Sequence, residues 1–87
     1  MKEKILQMVE NVIETKQKEL ENDMRVIRSH MENMIQKMEL YPYWASLILK
    51  DIRTIHRMLE DAVKLEHQLA SYRHIRHSIA DFPAKED

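Results

Sequence analysis

Residues 34–52, MIQKMELYPYWASLILKDI, decide the fold, because one proline, Pro42, stands between two runs of helix-forming residues. Proline lacks a backbone N–H and its ring clashes with the preceding helical turn, so a helix that reaches Tyr41 cannot continue through Pro42. The sequence of 87 residues contains one further proline, Pro83, so segments of similar length flank this break. Residues 34–52 therefore predict a reversal of the chain at 41–43, close to its middle.

Apolar residues recur at helical spacing on both sides of this break. Upstream, they stand at every seventh position, at Leu6, Ile13, Leu20, Ile27 and Met34. Downstream, helical spacing continues through Ile48, Ile52, Ile55, Leu59, Ala62 and Leu69. We therefore predict an all-α fold in which a long antiparallel two-helix hairpin forms one domain over 1–82. The predicted elements are a helix over about 2–40, a turn at 41–43, a helix over about 43–81 stopped by Phe82-Pro83, and a polar tail at 83–87.

Residues that lie opposite each other in such a hairpin have numbers with a constant sum. A sum of 82 or 83 gives six apolar pairs: Met34–Ile48, Met31–Ile52, Ile27–Ile55, Met24–Leu59, Leu20–Ala62 and Ile13–Leu69. Nearer the termini, the same register pairs Gln17 with Glu66 and Glu10 with Arg73. The register thus predicts an apolar seam near the turn and two polar layers towards the open end.

Other apolar residues fall outside that seam, and a lone hairpin would leave them in water. They are Ile5, Met8, Val9, Val12, Met58, Leu65, Tyr72 and Ile79. A small domain without disulfides needs another source of core, which a second copy supplies by completing a four-helix bundle. We therefore predict a homodimer or higher oligomer, and a different protein covering the same face is the alternative. The predicted oligomer core comprises Leu20, Met24, Ile27, Met31, Met34, Ile48, Ile52, Ile55 and Leu59.

Composition argues against several classes of function. The absence of glycine removes phosphate-binding Gly-rich loops, and the absence of cysteine removes disulfides, thiolate nucleophiles and Cys-ligated zinc. Fourteen Lys and Arg against fifteen Asp and Glu give a net charge of −1, without the basic excess of a general nucleic-acid-binding protein. No stretch of about 18 apolar residues exists that could span a membrane. We expect a cytoplasmic protein with no cofactor.

Three of the five histidines lie at helical spacing in the second helix, at His67, His74 and His77. Three imidazoles can bind zinc or nickel, so a metal site is one hypothesis. Arg73 and Arg76 beside them make the surroundings cationic, which opposes metal binding. A favourable interaction of cations with the helix C-terminus explains the same residues, and we assign no metal ligands.

A fourth histidine stands in the stretch Arg28-Ser29-His30-Met31-Glu32-Asn33. This stretch resembles the hairpin of dimeric two-component phosphotransfer proteins, which present a phosphorylatable histidine on the surface of a helical bundle. The resemblance implies a phosphoryl relay through His30. Met31 replaces the acid that usually follows the histidine in that family, so a structural histidine is the favoured interpretation.

No catalytic residues are predicted. Paired carboxylates such as Glu60 and Asp61 need a desolvated cleft for acid–base chemistry, whereas long helices offer grooves. Most acids alternate with Lys or Arg at helical spacing, as Glu14 does with Lys18, which is typical of a solvated face. We therefore expect no enzymatic activity.

Basic residues concentrate in the second helix, at Arg53, Arg57, Lys64, Arg73 and Arg76. A basic helical face is what a DNA- or RNA-binding regulator requires, so nucleic-acid binding is the alternative function. Acids interrupt the row and others lie on the first helix, so a charge match between the two helices explains it equally well.

Three of the five aromatic residues crowd the turn: Tyr41, Tyr43 and Trp44. Tyr and Trp bury a large area with few rotatable bonds, which makes them frequent anchors of protein interfaces. The alternative is that the rings cap the bundle by folding back on Met38 and Leu47. We interpret Tyr41, Tyr43 and Trp44 as a partner-binding site.

Methionines form a stripe on the first helix at Met24, Met31, Met34 and Met38. Methionine is adaptable core filler and is also enriched on binding grooves. Together with the aromatic turn, the stripe favours a protein–protein interaction module, such as a regulator, an adaptor or a chaperone, over any enzyme.

Overall fold

A computed structural model of the protein describes residues 1–81, which form two α-helices and no strand. Helix α1 spans Lys2–Leu40 and helix α2 spans Ala45–Asp81. They fold back on each other as an extended hairpin whose Cα atoms measure 69 × 14 × 12 Å. The predicted all-α two-helix fold is confirmed. The predicted stop at Phe82-Pro83 and the tail at 83–87 lie outside the described residues.

The turn between the helices is closed by three backbone hydrogen bonds. The Tyr41 amide donates to the Lys37 carbonyl at 2.8 Å, and the Trp44 amide donates to the Tyr41 carbonyl at 3.1 Å. The Leu47 amide then donates to the Trp44 carbonyl at 3.1 Å, which begins α2. Pro42 therefore occupies the second position of a four-residue turn, where its fixed φ is favoured, rather than the first turn of α2. For this reason α2 begins at Ala45, two residues later than predicted.

Apart from the half-buried Val12, the buried and half-buried residues of both helices follow alternating steps of three and four residues, which is the 3.5-residue repeat of a coiled coil. We call this set the intramolecular seam. On α1 it comprises Lys2, Leu6, Val9, Ile13, Lys16, Leu20, Asp23, Ile27, His30, Met34 and Lys37. On α2 it comprises Ile48, Asp51, Ile55, Met58, Ala62, Leu65, Leu69, Tyr72 and Ile79.

The centre of the seam is a cluster of Ile27, Ile55 and Ala62, against which Leu20, Met34 and Met58 pack. The predicted pairs Ile27–Ile55 and Leu20–Ala62 thus lie in one core. Ile13 and Leu69, a further predicted pair, are 5% and 2% exposed. These seventh-position residues are therefore in the core, as the predicted register requires.

The predicted seam is wrong at the positions between them. Met24, Met31, Ile52 and Leu59 are 40–49% exposed and lie outside the intramolecular seam. Conversely, five residues expected outside it contribute to it: Leu65 is buried, and Val9, Met58, Tyr72 and Ile79 are half-buried. The expected polar layers are absent too, because Gln17, Glu66, Glu10 and Arg73 are all exposed.

The physical reason is that two different 3.5-residue repeats, or phases, contain the same seventh-position residues. The two phases differ only in the residue that lies between those residues. From Leu20 and Ile27, a 3.5-residue seam can continue through residues three positions later or four positions later. On α1 the second choice takes the methionines near the turn. On α2, however, it takes Glu66 and Arg73 towards the terminus, where the first takes Leu65 and Tyr72. A continuous coil keeps one phase along its length, so the apolar residues of the open end decide the phase for the whole hairpin.

One consequence is that polar residues occupy seam positions near the turn. The Lys37 ammonium bridges both carboxylate oxygens of Asp51, at 3.0 and 3.2 Å. Asp23 and His30 are half-buried rather than enclosed, and residues 1–81 contain no fully buried polar side chain. The seam near the turn therefore contains fewer apolar side chains than it would if methionine occupied those positions.

Candidate functional site

The turn presents its three aromatic side chains to solvent. Tyr43 is 93% exposed, Trp44 58% and Tyr41 46%. The rings of Tyr41 and Trp44 stack with centroids 5.3 Å apart and an interplanar angle of 26°. The hydrogen bond from the Trp44 amide to the Tyr41 carbonyl fixes this spacing. The turn therefore holds a pre-ordered aromatic surface, which we call the aromatic tip (Tyr41, Tyr43 and Trp44).

A second exposed apolar surface runs down one side of the hairpin from the aromatic tip. On both helices it recurs every seven residues, at the position four residues after seam residues such as Ile27 and Ile55. We call it the apolar stripe, and it comprises Met24, Met31, Met38, Ala45, Ile52 and Leu59. Ile35, Leu49 and Val63, all 46–50% exposed, widen it on the outer edge. In an antiparallel pair, these positions of the two helices lie on the same side.

An open groove of about 620 Å³ shows that both helices contribute to this side. Its lining includes Met38 and Tyr41 from the end of α1 and Ala45, Leu49 and Ile52 from the start of α2. The groove thus joins the aromatic tip to the apolar stripe. No polar side chain other than Ser46 lines it.

Two shallower grooves lie where the apolar stripe ends, about halfway along the hairpin. On α1, Leu20 and Met24 lie between Glu21, Arg25 and Arg28 in a groove of about 460 Å³. On α2, Leu59 and Val63 lie among charged and imidazole side chains in a groove of about 480 Å³. Both combine an aliphatic floor with a polar rim, the composition of many protein-binding surfaces.

The stripe divides the hairpin into two regions. We call residues 20–63 the tip half, and residues 1–19 and 64–81 the open half. In the tip half every stripe position is apolar. In the open half the equivalent positions are Glu3, Glu10, Gln17, Glu66, Arg73 and Ala80. The apolar stripe is therefore confined to one half, and exposed apolar residues of the open half, such as Ile5, Met8 and Ile75, lie at other positions of the repeat.

The predicted oligomer core is split between the two surfaces. Leu20, Ile27, Met34, Ile48 and Ile55 belong to the intramolecular seam. Met24, Met31, Ile52 and Leu59 lie on the apolar stripe. The sequence interpretation missed Ile35, Leu49 and Val63, although their helical spacing from Met31, Ile52 and Leu59 was a usable signal.

The histidines do not converge in the part of the chain that the structure describes. His56 contacts Glu60 at 2.6 Å and His77 contacts Asp81 at 3.0 Å, both one turn away on an exposed face. Within residues 1–81, no group of three or more His, Asp or Glu side chains is arranged to hold a metal ion. His30 is half-buried in the seam, facing the other helix rather than the outer surface that the phosphotransfer resemblance implies.

Basic side chains line the outer face of α2 in the tip half. Lys50, Arg53 and Arg57 are all exposed there, Lys64 continues the row just beyond the tip half, and Glu60 is the acid that falls among them. Asp51, expected to interrupt this row, instead faces α1 and binds Lys37. The row is therefore more continuous than the sequence indicated.

Comparison with known proteins yields no relative: no family model matches the sequence, no curated protein matches it, and no solved structure matches the hairpin. Neither helix within residues 1–81 has an apolar stretch long enough to cross a membrane.

Proposed function

We propose that the chain is a small protein–protein interaction module that acts as a homo-oligomeric helical bundle. The observation that carries the proposal is the apolar stripe, whose six positions in the tip half are all apolar yet uncovered by the hairpin itself. Exposed apolar surface of this continuity is characteristic of interaction sites. A regulator, an adaptor or a chaperone in the cytoplasm would use such a module.

A second copy is the occupant that fits the helical pattern best. A helix in a four-helix bundle buries two neighbouring stripes, one against each adjacent helix. Here the intramolecular seam supplies the first stripe and the apolar stripe supplies the second. A hairpin with six buried residues among residues 1–81 also has a small core, and association would enlarge it.

The aromatic tip adds a second contact surface to the same module. The rings of Tyr41 and Trp44 are exposed but stacked on each other, so these two side chains lose little conformational freedom on binding. Aromatic anchors of this kind dominate the energy of many interfaces. The groove that joins the tip to the stripe makes the two surfaces continuous.

Sedimentation velocity over a dilution series tests the proposal. The wild-type chain is expected to sediment as a dimer or larger at micromolar concentration. Met31→Asp places an unpaired charge on the apolar stripe and is expected to shift the chain to monomers without loss of helical content. Ser29→Asp is the matched control, since it adds the same charge two residues away on a different, exposed face. A wild-type monomer throughout, or equal effects of the two variants, would contradict the proposal.

The second candidate function is nucleic-acid binding, favoured by the row of Lys50, Arg53, Arg57 and Lys64 on the outer face of α2. This face adjoins the apolar stripe at Lys64, which lines the same groove as Leu59 and Val63. Binding of a fluorescent DNA duplex, followed by anisotropy, would fall steeply with salt if these cations contact phosphates. Association through the stripe would respond weakly to the same salt.

A further inference from the structure

We infer that two copies associate antiparallel through their tip halves, so that the aromatic tip of each copy packs on the far end of the other copy's apolar stripe. The inference rests on the proposed self-association and names the partner of the tip. Tyr43 and Trp44 of one copy then contact the region of Met24 and Val63 of the second copy.

The first reason is the confinement of the apolar stripe to the tip half. A full-length overlap would bring Glu3, Glu10, Gln17, Glu66 and Arg73 into the bundle interior, where unpaired charges are costly. An overlap restricted to the tip halves covers the apolar positions and leaves these five side chains in water. The contact is therefore limited to about 20 residues of each helix.

The second reason is that the stripe is symmetric about its own centre. On α1, Met24 and Met38 lie seven residues on either side of Met31, and on α2, Ala45 and Leu59 lie seven residues on either side of Ile52. A two-fold axis perpendicular to the helices at the height of Met31 and Ile52 brings the stripe of one copy onto the stripe of the other. Met31 then meets the Met31 of the second copy, and each Met24 lies at the height of a Met38.

The register of the hairpin places the two centres at heights that agree to within about five residues. Near the turn, Lys37 binds Asp51, and at the open end the Lys2 ammonium donates to the Ala80 carbonyl at 3.2 Å. Counting along the helices from these two contacts, Met31 lies level with residues 51–57 of α2, which include Ile52. A single axis therefore serves both helices, as a closed dimer requires.

The third reason is where this axis places the aromatic tip. A rotation that maps Met31 onto itself brings Pro42 of one copy to the height of Leu20 in the other. By the same count, Leu20 lies level with residues 62–68 of α2. These are the heights of the two shallow grooves, one around Leu20 and Met24 and the other around Leu59 and Val63.

The contact area is sufficient for a stable dimer. An overlap of about 20 residues is ~30 Å long, and two adjacent helices are about 20 Å wide, so each copy contributes on the order of 600 Å². The total of about 1,200 Å² lies at the lower end of specific interfaces. The aromatic tips at both ends of the overlap add to it.

A parallel arrangement would cover the same stripe but not the same ends. Both open halves would then run side by side, with the Glu3 and Glu10 carboxylates of the two copies near one another. The two aromatic tips would also meet each other instead of the grooves. The positions of the tips therefore distinguish the arrangements.

Site-directed cross-linking measures those positions directly, because the chain contains no cysteine. A mixture of Tyr43→Cys and Val63→Cys is treated with a short bis-maleimide, and we expect a cross-linked heterodimer. Tyr43→Cys alone should not cross-link, since the two tips lie about 33 Å apart at 1.5 Å per residue. Glu19→Cys, at a similar height but on the opposite side of the hairpin, is the control and should not cross-link to Tyr43→Cys.

Each outcome decides the inference, and sedimentation of every variant separates it from the proposed function. Cross-linking of the Tyr43→Cys and Val63→Cys mixture, without that of Tyr43→Cys alone or of the control mixture, supports the antiparallel dimer. Cross-linking of Tyr43→Cys to itself shows a parallel dimer and overturns it. If the chain sediments as a dimer but forms neither cross-link, the proposed contact of the aromatic tip is wrong and the proposed self-association stands. A monomer at all concentrations overturns both.

Discussion

The two halves of the hairpin are built on the same repeat but handle their apolar residues differently. In the open half, apolar side chains such as Val9, Leu65 and Tyr72 turn towards the other helix, and the stripe positions are polar. In the tip half, polar side chains such as Asp23 and Lys37 occupy seam positions, and methionine, isoleucine and leucine occupy the stripe. The open half thus places most of its apolar residues in the hairpin, with Ile5, Met8 and Ile75 exposed, whereas the tip half presents a continuous row of them to a partner.

This difference has an energetic meaning. Residues that are buried within one chain stabilise the hairpin at any concentration, whereas residues on the stripe stabilise it only when something covers them. The structure therefore predicts that substitutions in the two halves differ in both size and concentration dependence.

The largest effect is expected from Leu69→Ala in the open half. Leu69 is 2% exposed, so its truncation leaves a cavity and should lower the free energy of unfolding by about 2–5 kcal/mol. Leu59→Ala on the same helix is the control, because Leu59 is 40% exposed and should cost less than half as much. Urea denaturation followed by circular dichroism measures both. Equal losses at concentrations where the chain is monomeric would show that the stripe and the seam have been assigned to the wrong residues.

The next effect concerns the aromatic tip. Trp44→Ala should leave helical content unchanged but weaken association by about thirtyfold or more, corresponding to an anchor worth about 2 kcal/mol. Because Trp44 is the single tryptophan, its emission should also shift to the blue as the wild-type concentration rises. If the variant instead loses several kcal/mol of stability, or if the emission is independent of concentration, the tip acts as a cap of the hairpin rather than as a contact.

The smallest effect is expected where charge replaces apolar packing in the tip half. Lys37→Met removes the bridge to Asp51, whose side chain is 19% exposed, and should cost less than about 1 kcal/mol because Lys37 itself remains well solvated. Lys18→Met removes the more exposed pair with Glu14 and should cost still less. The difference between the two variants should shrink at high salt. A larger loss for Lys18→Met would contradict the placement of Lys37 in the seam.

Much of the architecture could be predicted from the sequence because it depends on local chemistry. Pro42 ends α1 whatever surrounds it, and good helix formers fill the segments on either side. Seventh-position residues such as Ile13, Ile27 and Leu69 enter the core in either phase of the repeat, so their burial could also be predicted from the sequence. The aromatic tip was found for the same reason, since three aromatic rings at a turn need no tertiary information to be noticed.

The stripe could not be separated from the seam on the same basis. On α1, Met24 and Met31 fit the helical repeat just as closely as Asp23 and His30. Hydrophobicity alone favours the methionines. Only the packing of the whole hairpin selects between them, because one phase must serve all of its layers at once.

The sequence by itself therefore determined that the chain is helical, where it reverses, and which residue of each heptad lies at the centre of the core. The tertiary structure decided whether the residue three positions later or the residue four positions later joins it in the seam. The physical reason is that a straight pair of long helices can keep only one line of contact, and the apolar residues of the open half set that line. Met24, Met31 and Met38 are then turned outward to form an exposed surface.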